Sequence, residues 1–371
     1  MQHLKRPPAS RVALFISTKS LYTRHMTIRY ANDDEVKNWN THILANPDGG
    51  NVFQGYEFAE QKRLGGWTPR FVVAGEMAMT VLEKSVPGLG KLWYLPKGPG
   101  VIGVRMLDDV LPDLQNFARA HGVFAVKIEP ELLKNDETMA DLMKLGLQKV
   151  PPIQPNFSTI LIDLTPDLDG IMAHLNQKGR HAIRRAERDG VTVQLVDSND
   201  KNCKIMYDLL AQTAAGAFRI RSYEYYKTFW QRYSQAGLGQ LFFAYVDNRV
   251  VAGAFAIAFG TKGTYKDGAS VRQRTVYGAS HLLQWHVIKW MKRQGVTVHD
   301  LCGAPPSDQI NNPAHPHYGI GRFKTSFNKE VTDYIGAYDL VISPAQYRLW
   351  RQFGERLALR LYTYRHHENY Y

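Results

Sequence analysis

Apolar positions along the chain recur with two periods, and the periods alternate in a fixed order. Residues 33–44 (DDEVKNWNTHIL) start with acids and continue with apolar residues at helical spacing, which predicts a helix. A second helix is expected over 51–65, led in by Phe53 and closed by Gly65. The stretches PRFVVAG, MAMTVLEKSV and KLWYLPKGPGV then read as three strands separated by turns. A helix over 106–122, a strand over 123–132 and a helix over 137–146 follow. Helices are next expected at 202–217 and 223–237, then three strands over 239–270 with a tight turn at Asp247-Asn248. A helix over 278–295 and a strand over 296–303 complete the second series. Both series run helix, helix, three antiparallel strands, helix, strand. The repeat is one of architecture, without obvious repetition of sequence.

An α+β protein of two tandem units follows from this order, each unit patterned like the acyltransferase fold of N-acetyltransferases (GNAT-type). The expected divisions are a basic extension at 1–25, a first unit made of 26–165 plus 338–371, and a second unit at 166–337. The extension carries Lys5, Arg6, Arg11, Lys19 and Arg24 and no acid. It lacks a small-residue cleavage site, and Met26 opens a clean strand-then-helix pattern, so it reads as an upstream extension rather than a targeting signal. The tail, SPAQYRLWRQFGERLALRLYTYRHHENYY, reads as an amphipathic, Arg-rich helix packed on the first unit, with contact to a membrane surface as the alternative.

Composition narrows the class. The chain has 371 residues, 44% hydrophobic and 22% charged, which describes a globular protein of about two domains. No apolar run reaches membrane-spanning length. Two cysteines, Cys203 and Cys302, argue against a disulfide framework and against a zinc site, and fit a reducing cytoplasm. The net charge of +12 favours polyanionic partners: nucleic acid, phosphorylated substrates or anionic lipid. The densest basic cluster, Lys178 to Arg188, puts Arg180, Arg184 and Arg188 four apart on one helical face, with Arg185 beside them. Such a stripe is either a solvated surface or a track for nucleic-acid phosphates.

Six short stretches, in order, carry a family resemblance: FQGYEFAEQK (53–62), RRAERDGVTV (184–193), RIRSYEYY (219–226), TYKDGAS (264–270), FKTSF (323–327) and YIGAYDLVI (334–342). Together they resemble the Fem-type (FemABX) non-ribosomal peptidyltransferases. That resemblance implies transfer of an amino acid from aminoacyl-tRNA to the stem-peptide amine of a peptidoglycan precursor, lipid II or UDP-MurNAc-pentapeptide. It implies two acyltransferase-like domains. No heptad run interrupts 170–230, so the chain is similar to members without a coiled-coil arm. No cofactor is implied, because the tRNA ester already carries the activation. A cytoplasmic enzyme, with peripheral contact at the inner membrane face for a lipid-linked acceptor, is the expected setting.

Carried over residue by residue, the resemblance gives Lys62, Arg221 and Tyr225 to the precursor diphosphate and its surroundings. It gives Phe323 and Lys324 to the ester carbonyl or the tRNA end. An ammonium fixed between aromatic walls suits the negative charge that develops on an attacked carbonyl. Glu129, in VKIEPEL, falls where an acid faces the acceptor and could hold or deprotonate its amine. Tyr265 matches one of two expected tyrosines, whereas Asp267 stands where the second is expected. The tRNA body falls to Arg180, Arg184, Arg185 and Arg188. An acyl-CoA-dependent N-acyltransferase acting on a small amine is the alternative. Its pyrophosphate turn is not met, since Arg274 and Gly278 are one residue too far apart.

Overall fold

The computed structural model describes residues 26–154, 156–214, 219–271 and 276–366; the expected extension at 1–25 lies outside them. Two mixed sheets organise the chain. The first has seven strands in the order Ile28–Tyr30, Thr68–Ala74, Met77–Val86, Gly90–Leu95, Val123–Ile128, Ala337–Val341, Gln148–Val150. The second has six: Leu161–Asp163, Val298–Asp300, Lys262–Ser270, Arg249–Phe259, Gly239–Val246, Thr192–Val196. In each, an antiparallel meander leads through a long helix to a strand that returns parallel to the third meander strand. The helices are Val104–Ala120 and Ala279–Arg293. The expected tandem acyltransferase-like architecture is therefore the observed one, and no coiled-coil arm appears among the described residues.

Both faces of the central strands are covered, which is why MAMTVLEKSV reads as a nearly unbroken apolar run: nine of its ten residues are buried. The turn at Asp247 and Asn248 takes positive φ at both residues (47° and 60°), a conformation their short polar side chains tolerate. Two expected helices are broken. Residues 33–44 split into Asp33–Lys37 and Trp39–Leu44 because Asn38 leaves helical geometry (ψ 23°) and bonds its side chain back to Asp34 O. Residues 51–65 split into a 3₁₀ turn, Val52–Gln54, and the helix Tyr56–Arg63. Between them Gly55 is extended. A Cβ there would stand 3.1 Å from both the Phe259 ring and the Asn40 side chain, so the two units approach too closely for a larger residue.

The passage between sheets falls earlier than the expected division at 165. Leu161–Asp163 already pairs with Val298–Asp300 as the edge of the second sheet. In the opposite direction, Ala337–Val341 inserts between Val123–Ile128 and Gln148–Val150 of the first.

Candidate active site at the seam of the two units

In the second sheet, the parallel pairing of Lys262–Ser270 with Val298–Asp300 lasts only from Lys262↔Val298 to Thr264↔Asp300. Beyond it the strands part, and a pocket of about 390 Å³ opens. Tyr265, Lys266 and Cys302 line its base, Gly278 to His281 at the start of the Ala279–Arg293 helix line one wall, and Ile320, Phe323 and Lys324 line the other. Gly278 caps that helix with no side-chain bond to its first turn, so backbone donors at a helix N-terminus face the pocket.

Lys324 is buried, and its ammonium donates to Cys302 O (2.7 Å) and Gly303 O (2.6 Å). Those carbonyls converge because Cys302 and Gly303 both take positive φ (55° and 88°), while the Asp300 carboxylate accepts from Cys302 N (2.6 Å) and holds the turn. An ammonium has three donors; the third is left for the pocket, 6.0 Å from the Tyr265 ring centre. Burial pulls the Lys324 pKa down, with Cys302 and Asp300 acting the other way. Phe323 meets the His281 ring edge-on and Phe327 stacks on it (4.9 and 5.6 Å between centroids), which fixes the helical turn that presents the lysine. The placement thus joins Phe323, Lys324 and Tyr265 in one cavity.

A second constellation bridges the two units. The helix Tyr56–Arg63 touches the helix Tyr223–Gln235 through Gln61, whose amide donates to Tyr225 O (2.9 Å). Lys62 is buried beside this contact. Desolvation, then the charges of Arg221, Lys84 and Lys266, push its pKa down to about 7. Lys84 is likewise pushed to about 7 by burial and by Arg221, and it is sandwiched between the Trp67 and Tyr362 rings at 4.7 and 4.6 Å. Arg221 stacks on the Tyr225 ring at 4.6 Å. Four cations are drawn together from both units, and the other three each raise the cost of charging Lys62; a polyanion would relieve such a site. Sequence reasoning found Lys62 and Arg221 and missed Lys84 and Lys266, which sit in strands where a lysine looks like an outward-facing residue.

Lys266 owes its position to a β-bulge. Phe255 pairs with Asp267 but Ala256 pairs with Tyr265, leaving Lys266 as the extra residue. Without the bulge, Tyr265 and Asp267 would share a face. Instead Tyr265 packs with the core beneath the Ala279–Arg293 helix, whereas Asp267 accepts from Trp230 Nε1 (2.9 Å) on the other side. Asp267 also pairs with Lys266 (3.2 Å) and raises its pKa. Tyr265 and Asp267, both expected on the substrate, thus lie on opposite sides of the strand: Asp267 anchors Lys266, and Lys266 both lines the pocket and belongs to the cation cluster.

Glu129 is placed away from Lys324. It is buried, accepts from the Tyr94 hydroxyl (2.7 Å), Ile153 N (2.5 Å) and Gln154 N (3.4 Å), and borders a void of only about 10 Å³ with Lys97 and Tyr334. Burial raises its pKa, against the bonds from Tyr94 and Ile153 N, which lower it; those bonds tie the 153–154 crossover to the first sheet. Along the helix Gln177–Arg188, Arg180 is spent on the carbonyls of Ala173 (2.7 Å) and Leu175 (2.6 Å). Arg185 pairs with Asp189 and lies over Tyr277. Arg184 and Arg188 are exposed and remain as the open part of the expected stripe.

The FemAB family model matches this chain over residues 35–249 and 238–354. The chain belongs to the FemAB family. Among curated FemAB-like relatives is the lipid II:glycine glycyltransferase of Staphylococcus aureus (strain MRSA252), 22% identical over 85% of this chain and 94% of the relative. The counterpart from strain USA300 matches with the same identity and coverage. Among solved structures, FemX superposes with a TM-score of 0.76 at 20% identity, over 88% of this chain and all of the other. A C-terminal domain of a putative lysylphosphatidylglycerol synthetase from Agrobacterium fabrum shares the fold at a TM-score of 0.51 and 16% identity, over 88% and 98%.

Proposed function

We propose that this FemAB-family protein transfers an amino acid from an aminoacyl-tRNA ester to the stem-peptide amine of a peptidoglycan precursor, building a cross-bridge. The single observation that carries the reading is the junction of a four-cation site with a pocket holding a buried, carbonyl-anchored lysine. The glycyltransferase relatives, matched over nearly their whole length, support the class of reaction. The diphosphate of the precursor takes Lys62, Lys84, Arg221 and Lys266, where bidentate and point-charge donors meet phosphate oxygens. The aminoacyl end of the tRNA takes the pocket, its last phosphate near the uncapped start of the Ala279–Arg293 helix.

In the reaction the neutral stem amine attacks the ester carbonyl. A C–N bond forms, and negative charge moves to the carbonyl oxygen, where the free donor of Lys324 meets it. The C–O bond to the ribose then breaks, and the ribose hydroxyl leaves with the proton lost by the amine. Phe323 and Tyr265 wall the pocket and exclude water, which suppresses ester hydrolysis. Glu129 fits an indirect part: it holds the 153–154 crossover and Tyr94 in place at the edge of the acceptor side.

Purified protein incubated with charged total tRNA and with the UDP-linked or the lipid-linked pentapeptide precursor tests this directly. A tRNA-dependent mass gain of one amino-acid residue on either precursor is expected. Acylation of a small amine by acyl-CoA, with no tRNA-dependent product, would instead support the coenzyme A reading, with the phosphates at the start of the Ala279–Arg293 helix that lines the pocket.

A further inference from the structure

Residues 344–366 run as the helix Pro344–Leu349, the π-helical turn Trp350–Gly354 and the helix Glu355–His366. One side packs inward: Tyr347, Trp350, Leu359 and Tyr362 lie against Val86, Leu92 and Phe124 of the first sheet. The opposite side presents Leu349, Phe353, Leu357, Leu361 and Tyr364, each between 49% and 82% exposed. Their spacing of four, four, four and three places them on a single stripe, because the π turn absorbs the drift that a strict four-residue spacing would otherwise cause. Leu64, also exposed, lies next to Gly65, whose carbonyl accepts the Tyr362 hydroxyl.

The borders of the stripe are cationic. Arg348, Arg356, Arg360 and Arg365 are exposed along it, and Arg351 is paired with Glu355, the one acid in the segment. That charge selects the occupant. A second copy docking stripe to stripe would press arginines against arginines, and the basic segment 1–25 would do the same. An apolar ridge flanked by guanidinium groups complements an interface whose headgroups are anionic and whose interior is hydrocarbon. No helix among the described residues is long and apolar enough to cross a membrane.

We infer that the outer face of residues 349–364 docks on the surface of an anionic phospholipid bilayer, lying in the interface plane. The docked helix reaches the cation cluster through Tyr362, which packs on Lys84. A diphosphate emerging from the same bilayer would thus be met beside the surface that anchors it. In this last step the inference rests on the transfer reading and chooses its lipid-linked acceptor; the docking itself does not depend on it.

The test uses the full chain with vesicles of phosphatidylglycerol and phosphatidylethanolamine, and with vesicles of phosphatidylcholine alone. Co-sedimentation with the anionic vesicles only is expected. Both Phe353→Glu with Leu357→Glu and Arg356→Glu with Arg360→Glu should weaken it by more than about tenfold, while thermal melting stays near that of the parent. Sedimentation velocity of the same variants separates docking from self-association. Unchanged vesicle binding by the variants, or a parent dimer that the Phe353 variant dissociates, overturns the proposal. In a parallel arm, transfer to the soluble UDP-linked precursor should be unaffected in the variants, and transfer to the lipid-linked precursor in vesicles should show a raised KM. Absence of any transfer by the parent protein would fail the enzymatic reading alone and leave the vesicle result standing.

Discussion

Lys324 hangs from two backbone carbonyls with one donor to spare, and that arrangement fixes what its removal does. Lys324→Met keeps an unbranched apolar stem, one heavy atom shorter, and removes the ammonium with its donors. It should lower kcat of transfer by about 10²–10³-fold with little change in precursor affinity, as read by single-turnover kinetics beside a binding titration. Lys62 gives a pH signature. Its pKa in the fold is about 7, below the ordinary 10.5, so the unfolded chain binds more protons between those values. The empty protein should therefore gain stability as pH rises from about 7, because the penalty for a buried ammonium is relieved. Binding a diphosphate reverses the preference: the ammonium form is favoured, and affinity should fall as pH climbs through 7. Melting temperatures across this window, with and without the UDP-linked precursor, check both signs. Lys62, Arg221 and Lys324 drew attention in the sequence because the stretches that hold them carry the family resemblance; without it a lone lysine or arginine reads as surface charge. Lys84 and Lys266 were not, since nothing in MAMTVLEKSV or TYKDGAS marks a lysine as turned toward another unit.

At the level of elements, small irregularities do the positioning. The bulge at Lys266 separates Tyr265 from Asp267, and strict two-residue alternation along the sequence hides it. Gly179 shows the same dependence on close approach. A Cβ at this position would stand 2.2 Å from Ser326 O, so the Gln177–Arg188 helix rests directly on the turn that follows Lys324. Gly179→Ala should cost about 1–3 kcal/mol of stability and lower the transfer rate more than it raises either KM. Denaturation midpoints and steady-state kinetics of the folded variant test this pair of effects. The break at Gly55 was unreadable for a related reason: it answers to Phe259 of the neighbouring unit. The break at Asn38 is local, an Asn side chain competing for the carbonyl of Asp34, and apolar periodicity does not register it.

On the scale of the whole molecule, the alternation of periods was enough to reveal two similar units, because meander, helix and parallel strand each leave a separate hydrophobic signature. Which strands complete which sheet was less open to reading. Leu161–Asp163 and Ala337–Val341 are short, and their partners lie far along the chain. The basic stripe needed the structure to be sorted, since Arg180 and Arg185 have local partners and Arg184 and Arg188 are exposed. Replacing both exposed arginines with alanine should weaken charged-tRNA binding and flatten its dependence on salt by about one to two in logarithmic slope, measured by filter binding across ionic strengths.

Lys266 stands on the wall between the pocket and the cation cluster and is counted in both. A shared side chain of this kind makes the ligands of the two sites thermodynamic neighbours: whatever one does to the position or protonation of that ammonium, the other inherits. Occupancy of one site then changes the dissociation constant of the other by a single common factor, whichever substrate arrives first. Under such coupling the order of addition follows from the concentrations of the two ligands.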